Sequence, residues 1–197
     1  MVLDIAGLRE RLKRAPPTFS VYGDDGAGPG SRNEAATLAA VLIPVVARSQ
    51  GLTVLFTQRT THLKSHSGQV SFPGGRAEPG DASAEFTALR EAEEEIGLRA
   101  ERVEILARLP DYHTRSGFRV TPVIGLVQPP FELAPDPREV EEIFEVPLDF
   151  LLEPRNQQRR LREFQGQTVG FYAFEYQNRT IWGATAGMLV NLYKMLA

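Results

Sequence analysis

The sequence predicts an α+β fold, and three observations carry that prediction. Short β-branched and aliphatic runs bounded by glycine or proline recur along the chain, only three segments have helical spacing, and no fixed period marks a solenoid. Strands interspersed with few helices assemble as α+β. With 197 residues, 42% of them apolar, the chain buries one full core and falls short of the usual length for two domains.

The first fourteen residues, MVLDIAGLRERLKR, alternate apolar and charged positions without a long apolar centre, so they read as a short amphipathic helix and not as a signal peptide. Tyr22 to Ser31 (YGDDGAGPGS) is a glycine-rich linker, giving an N-terminal segment over residues 1–32 and a main domain over residues 33–197. Thr37 to Ala47 predicts a buried strand, interrupted or bulged at Pro44, and Leu52 to Thr57 a second one after a turn at Gly51. After a loop from Thr60 to Gly80, Asp81 is placed to cap a helix that runs to about Ile96 and ends at Gly97. Further strands are predicted at Val103 to Leu109, Phe118 to Val127 and Val169 to Tyr176, with a proline-rich loop from Pro129 to Pro137 and a closing helix from Thr185 to Leu196.

Composition removes several classes of function. Without cysteine there is neither a disulfide framework nor thiolate ligation, so any metal must be held by oxygen or imidazole. No run is long enough to span a membrane, and a net charge of −3 supplies no global basic field for nucleic acid. Membrane and nucleic-acid partners are therefore not expected, and the cytoplasm is the expected compartment.

The central helix breaks a local rule. Glu91, Glu93, Glu94 and Glu95 crowd its C-terminal end just before Gly97, where the macrodipole favours cations. Each misplaced carboxylate costs roughly 0.3–1 kcal/mol, with a few tenths more for like charges three or four apart. A turn of about 100° per residue gathers Glu91, Glu94 and Glu95 on one face, sets Leu89, Ala92 and Ile96 on an apolar face, and turns Glu93 to solvent. An acidic helix is most often a solvated face. Here Phe72 to Gly75 (FPGG) lies just upstream, where its glycines let backbone approach the helix, and the joint arrangement points to an oxygen-rich site for a hard divalent cation, magnesium or manganese.

These residues resemble the Nudix box: Gly, five residues, Glu, seven residues, then Arg-Glu-aliphatic-any-Glu-Glu-any-Gly-aliphatic. Arg90, Glu91, Ala92, Glu94, Glu95, Gly97 and Leu98 match its second half. The first half departs, since counting from Gly75 reaches Asp81 where glutamate is expected, and eight residues then separate Asp81 from Arg90. Either Asp81 or Glu78 takes the role of the first acid, which orients Arg90. Leu55 to Gly75 (LFTQRTTHLKSHSGQVSFPGG) is similar to the extra signature of the coenzyme A pyrophosphatase branch, and Ser116 to Gly125, Val140 to Leu148 and Ile181 to Thr185 extend the likeness over most of the chain after about Asn33.

The resemblance implies an α/β/α sandwich with a mixed sheet. It also implies metal-dependent hydrolysis of coenzyme A or its thioesters to 3',5'-ADP and 4'-phosphopantetheine. Glu91 and Glu95 would be the principal metal ligands, with Glu94 a further ligand and Arg90 their salt-bridged organiser. Glu94, Glu139, Glu141 and Glu142 are open as general base. Arg59, Lys64 and Arg76 would meet substrate phosphates, His66 or Gln69 would supply a polar contact, and Gly75 would bring backbone to the substrate. Arg155, Arg159, Arg160 and Arg162 form a second basic group that is more often plain surface charge. His62 and His66 lie four apart but among turn formers, which rejects a zinc pair, and Phe118 and Trp182 read better as packing than as adenine stackers. The alternatives are a hydrolase of another nucleoside diphosphate derivative, such as ADP-ribose or a dinucleotide, and a non-catalytic module that only binds a nucleotide.

Overall fold

The run TLAAVLIPVVAR has apolar side chains at successive positions, and a pleated strand turns these alternately to two faces, so it must be covered on both sides. The computed structural model, which describes residues 3–14, 36–62, 67–164 and 166–197, satisfies that requirement with a sheet between two helical layers. Strand β1 (Thr37–Arg48) pairs antiparallel with β2 (Gly51–Arg59) and with the short β4 (Gly74–Arg76), and parallel with β7 (Phe118–Val127). Strands β3 (Val70–Ser71), β5 (Val103–Arg108), β6 (Tyr112–His113) and β8 (Val140–Pro147) complete a mixed eight-stranded sheet. The α+β expectation and the mixed sheet both hold.

Pro44 does not interrupt β1. Its partners on the β2 and β4 side end at Val41 and resume at Val45, so the residue without an N–H sits in the gap between two antiparallel pairings while β7 continues alongside.

One face of the sheet, formed by Ala40, Leu42, Val46, Leu55, Val123 and Val127, receives Ala88, Ala92 and Ile96 of helix α2 (Ala84–Ile96). The opposite face, with Ile43, Val45, Val54, Phe56 and Ile124, is covered by helices α1 (Ile5–Lys13), α3 (Leu148–Leu151) and α4 (Ala184–Leu196). A second sheet of β9 (Gln158–Phe164), β10 (Gln167–Tyr176) and β11 (Arg179–Trp182) contributes Phe174 and Ile181 to that same core. Among the described residues no helix is long and apolar enough to cross a membrane.

The amphipathic reading of the N-terminal helix finds its physical content in Leu8 and Leu12, which are buried, and in Arg9, which pairs with Glu104 of β5. The glycine-rich linker and the boundary near residue 33 lie outside the described residues. Because Leu8 is fully buried in the core that α4 also joins, Leu8→Ala is expected to lower stability by about 2–5 kcal/mol, read as a shift in urea midpoint at unchanged slope.

Candidate active site

Helix α2 begins two residues later than the sequence suggests. Ser83 is its N-cap, accepting from the Phe86 N–H at 3.2 Å, and Asp81 does not cap it. Asp81 instead lies in the turn ahead of the helix, where its carboxylate accepts from Arg90 Nε at 3.1 Å and Nη2 at 3.0 Å, from Thr87 Oγ1 at 2.8 Å and from the Glu78 N–H at 2.9 Å. The bidentate guanidinium is the largest force holding the Asp81 carboxyl well below the ordinary carboxylate range. Asp81, and not Glu78, is thus the acid that orients Arg90, and Glu78 supplies only a backbone donor.

Arg90 reaches further. Its Nη1 donates to Glu91 Oε1 at 3.0 Å and to Glu94 Oε2 at 3.1 Å, and its Nη2 donates to the Arg76 carbonyl at 3.1 Å. Loop, strand β4 and helix are thereby joined through one side chain. The acids on the face differ sharply in surroundings, with side-chain exposure of 17% for Glu91, 60% for Glu94 and 7% for Glu95. Glu93 is exposed, as expected.

Glu95 is the unusual group. Burial pushes its carboxyl up to about 8, against the pull of Arg59 and of the Gly74 N–H, which donates to Oε2 at 3.3 Å. Burial also raises Glu91, partly offset by Arg90. Both carboxylates abut the FPGG turn. A β-carbon at Gly75 would lie 2.5 Å from the Glu91 carboxyl atoms, and one at Gly74 would lie 2.4 Å from the Ala40 carbonyl, with Gly74 at φ +157°. Only glycine allows this approach.

Among the described residues, no three acids are already gathered at ligating distance, because Arg90 holds Glu91 and Glu94 to itself and Glu95 is turned to Gly74. The expected cage of three carboxylates is therefore not preformed. The donor set nonetheless fits a hard divalent cation: Glu91 and Glu95 are oxygen donors on one helix face, and burial is the largest influence on each. Glu94, mostly in solvent, is the more peripheral of the three.

The remaining residues divide clearly. Arg59, at the end of β2, lies between Glu95 and Glu139, and Glu139 is the late acid that acts electrostatically on both Glu91 and Glu95. Glu142 is paired with Arg179 and Glu141 is exposed. Arg76 stacks over Phe118 at 5.2 Å, and the Gln69 carbonyl accepts from the Arg59 N–H at 2.9 Å. Lys64 and His66 lie outside the described residues, and His62 is in an exposed turn. In the second basic group Arg155 pairs with Glu153, Arg160 with Glu175, Arg159 covers Tyr172, and Arg162 covers both Phe171 and Trp182.

What brings Glu139 here had no sequence signal. The last carbonyls of α2 are capped from the proline-rich loop, with Ala134 N–H donating to Ile96 O at 2.8 Å and Asp136 N–H to Glu95 O at 2.9 Å. Gly97, left-handed at φ 68°, ends the helix and lets Ala134 approach. The loop then returns to β2, where the Thr60 N–H donates to Glu139 O at 2.9 Å.

A sheet between helical layers, a glycine turn against an acidic helix, and an arginine that ties the two together define a Nudix-type site. Residues 36–165 match the NUDIX domain model, and the chain belongs to that family. It is similar to the protein called "Uncharacterized Nudix hydrolase NudL" of Photorhabdus laumondii, at 42% identity over 78% of this chain and 82% of that protein. It is likewise similar to the protein of that name in Yersinia pestis, at 40% identity over 81% of this chain and 79% of the relative. The crystal structure of the Nudix hydrolase RenU from M. smegmatis superposes with a TM-score of 0.50 at 24% identity, covering 64% of this chain and 79% of that one, a likeness of fold. The chain is a Nudix hydrolase, a family whose members generally use divalent metal ions.

Between the ordinary glutamate value of 4.5 and about 8, metal-free folded protein keeps a proton on Glu95 that the unfolded chain releases, so stability falls as pH rises through that window. Thermal melts in chelator are expected to show a loss of up to about 5 kcal/mol across that interval that Glu95→Gln does not share; parallel pH slopes would rule it out. Asp81→Ala is expected to release Arg90 and cut turnover by about 10- to 100-fold, with Asp81→Asn intermediate.

Proposed function

We propose that the chain hydrolyses the diphosphate linkage of coenzyme A or an acyl derivative, giving 3',5'-ADP and 4'-phosphopantetheine or its acyl form. The observation that supports this reading best is the pair Glu91 and Glu95, desolvated against the backbone of the FPGG turn that ends the SHSGQVSFPGG sequence. Glu91 and Glu95 would hold Mg2+ or Mn2+, with Glu94 as a further ligand once it leaves Arg90. When bound, the ion neutralises diphosphate charge and makes its water a better nucleophile.

The chain's own residues do the rest. Arg90, fixed by Asp81 and the Arg76 carbonyl, sets the side chains of Glu91 and Glu94 and keeps the glycine turn against the helix. The general base, which takes a proton from the attacking water, is Glu94 or Glu139. Glu94 is exposed to solvent beside the site, and Glu139 faces the site from the loop that caps α2.

Incubation with coenzyme A and Mg2+ or Mn2+, followed by product identification, tests the substrate. The expected products are 3',5'-ADP and 4'-phosphopantetheine, and cleavage of ADP-ribose or a dinucleotide without cleavage of coenzyme A would move the chain to another substrate class. Glu95→Gln is expected to lower turnover by roughly 100-fold or more, the rate equivalent of about 3 kcal/mol. Retained turnover would remove Glu95 from the metal set.

A further inference from the structure

Two arginines face the acidic end of α2, and they are built differently. Arg90 makes hydrogen bonds of 3.0–3.1 Å to Asp81, Glu91, Glu94 and the Arg76 carbonyl. Arg59 makes none of comparable quality. Its Nη1 stands 3.7 Å from Glu95 Oε1, its Nη2 stands 3.9 Å from Glu139 Oε2, and its Nε is buried with no hydrogen-bond partner among the described residues. The side chain is three-quarters buried, with 26% of its surface exposed. A buried guanidinium normally satisfies its donors.

This looseness is not a matter of a loose backbone. The Arg59 N–H donates to Gln69 O at 2.9 Å, the pairing of β2 with β8 shifts register between Gln58 and Arg59, and the next residue binds the loop twice, through Thr60 N–H to Glu139 O and Thr60 Oγ1 to Arg138 O. The main chain is anchored on both sides, so the guanidinium is held between two carboxylates from different elements without being committed to either. Glu95 is anchored separately by the Gly74 N–H, and Glu139 is half exposed.

We propose that Arg59 is an exchangeable counter-ion: it is the positive charge that faces Glu95 in the metal-free protein, and when a divalent cation takes Glu95 its fork is freed toward Glu139 and a non-bridging oxygen of the substrate diphosphate. This rests on the reading of Glu91 and Glu95 as the cation site. Two consequences follow. A cation and the guanidinium repel each other across Glu95, so Arg59 weakens cation binding in the absence of substrate. An arginine displaced from a carboxylate presents paired N–H groups that match phosphoryl oxygens, so the loaded site favours a diphosphate. Arg59 thereby couples the two ligands and favours cation before substrate.

The test is calorimetric and uses no turnover. Mn2+ alone is titrated into the wild-type chain and Arg59→Gln, and methylenediphosphonate, which resists hydrolysis and carries no coenzyme A moiety, is then titrated into the Mn2+-loaded proteins. Arg59→Gln is expected to bind Mn2+ about 3- to 10-fold more tightly and the diphosphonate at least about tenfold more weakly. Unchanged or weaker Mn2+ binding, or undiminished diphosphonate binding, would overturn the exchange while leaving the cation site in place. Failure of the wild-type chain to bind Mn2+ would overturn both. Should circular dichroism find Arg59→Gln unfolded, Arg59→Lys keeps the charge without the fork. It is expected to retain wild-type Mn2+ affinity and lose diphosphonate affinity, and undiminished diphosphonate binding would equally overturn the inference.

Discussion

A guanidinium has five N–H donors in a rigid plane, and Arg90 directs them to three parts of the chain at once: Asp81 in the entering turn, the Arg76 carbonyl at the end of β4, and Glu91 and Glu94 on its own helix. The site depends on that fan. Without it, Glu91 would lie against Glu94 and the desolvated Glu95 with no counter-charge from its own helix, at the helix end where the dipole is already negative. The extra residue between Asp81 and Arg90 does not weaken the contact. It places Ser83 where a capping oxygen is needed and leaves the Asp81 carboxylate free to be shared among Arg90, Thr87 and the Glu78 N–H.

The charge at the other edge is balanced more loosely. Glu95 is buried deeply enough that neutralisation by a proton, by Arg59 or by a cation are competing solutions to the same desolvation cost. A structural ion pair would close to hydrogen-bonding distance, as Arg90 and Asp81 do. The contact of Arg59 with Glu95 stays at 3.7 Å, which keeps the carboxylate available.

Helix α2, strands β1, β2, β5 and β7 of the main sheet and the closing helix were legible because they carry strong periodicity: Ala88, Ala92 and Ile96 repeat at helical spacing, and β1, β2 and β7 are apolar on both faces. Strands β9 and β11 were not. In β9, Gln158–Phe164, arginines occupy positions that would ordinarily be apolar, and their planes cover Tyr172, Phe171 and Trp182, so the alternation that marks a strand is masked by charge. Of the site, the identity of the acidic face was readable from spacing, but its internal ranking was not. Spacing makes Glu91, Glu94 and Glu95 near equals, whereas burial separates them according to what the glycine turn and the capping loop cover. Glu139 was one of several late acids until the loop's N–H groups found the open carbonyls of Glu95 and Ile96, a pairing between segments far apart in sequence.

The approach of these parts is limited by volume more than by charge. Ala88 and Ala92 are fully buried where α2 meets the sheet, so helix and sheet pack closely there. On the next face of the same helix, Gly75 lets β4 come so near that a single methyl group would strike the Glu91 carboxylate, while Gly74 lets β4 lie against the Ala40 carbonyl of β1. Small residues thus set the depth at which the carboxylates sit, and depth sets their affinity for a proton or a cation. An alanine at position 75 would leave every charge in place and still move Glu91, which is why the glycine turn belongs to the electrostatics of the site as much as the acids do.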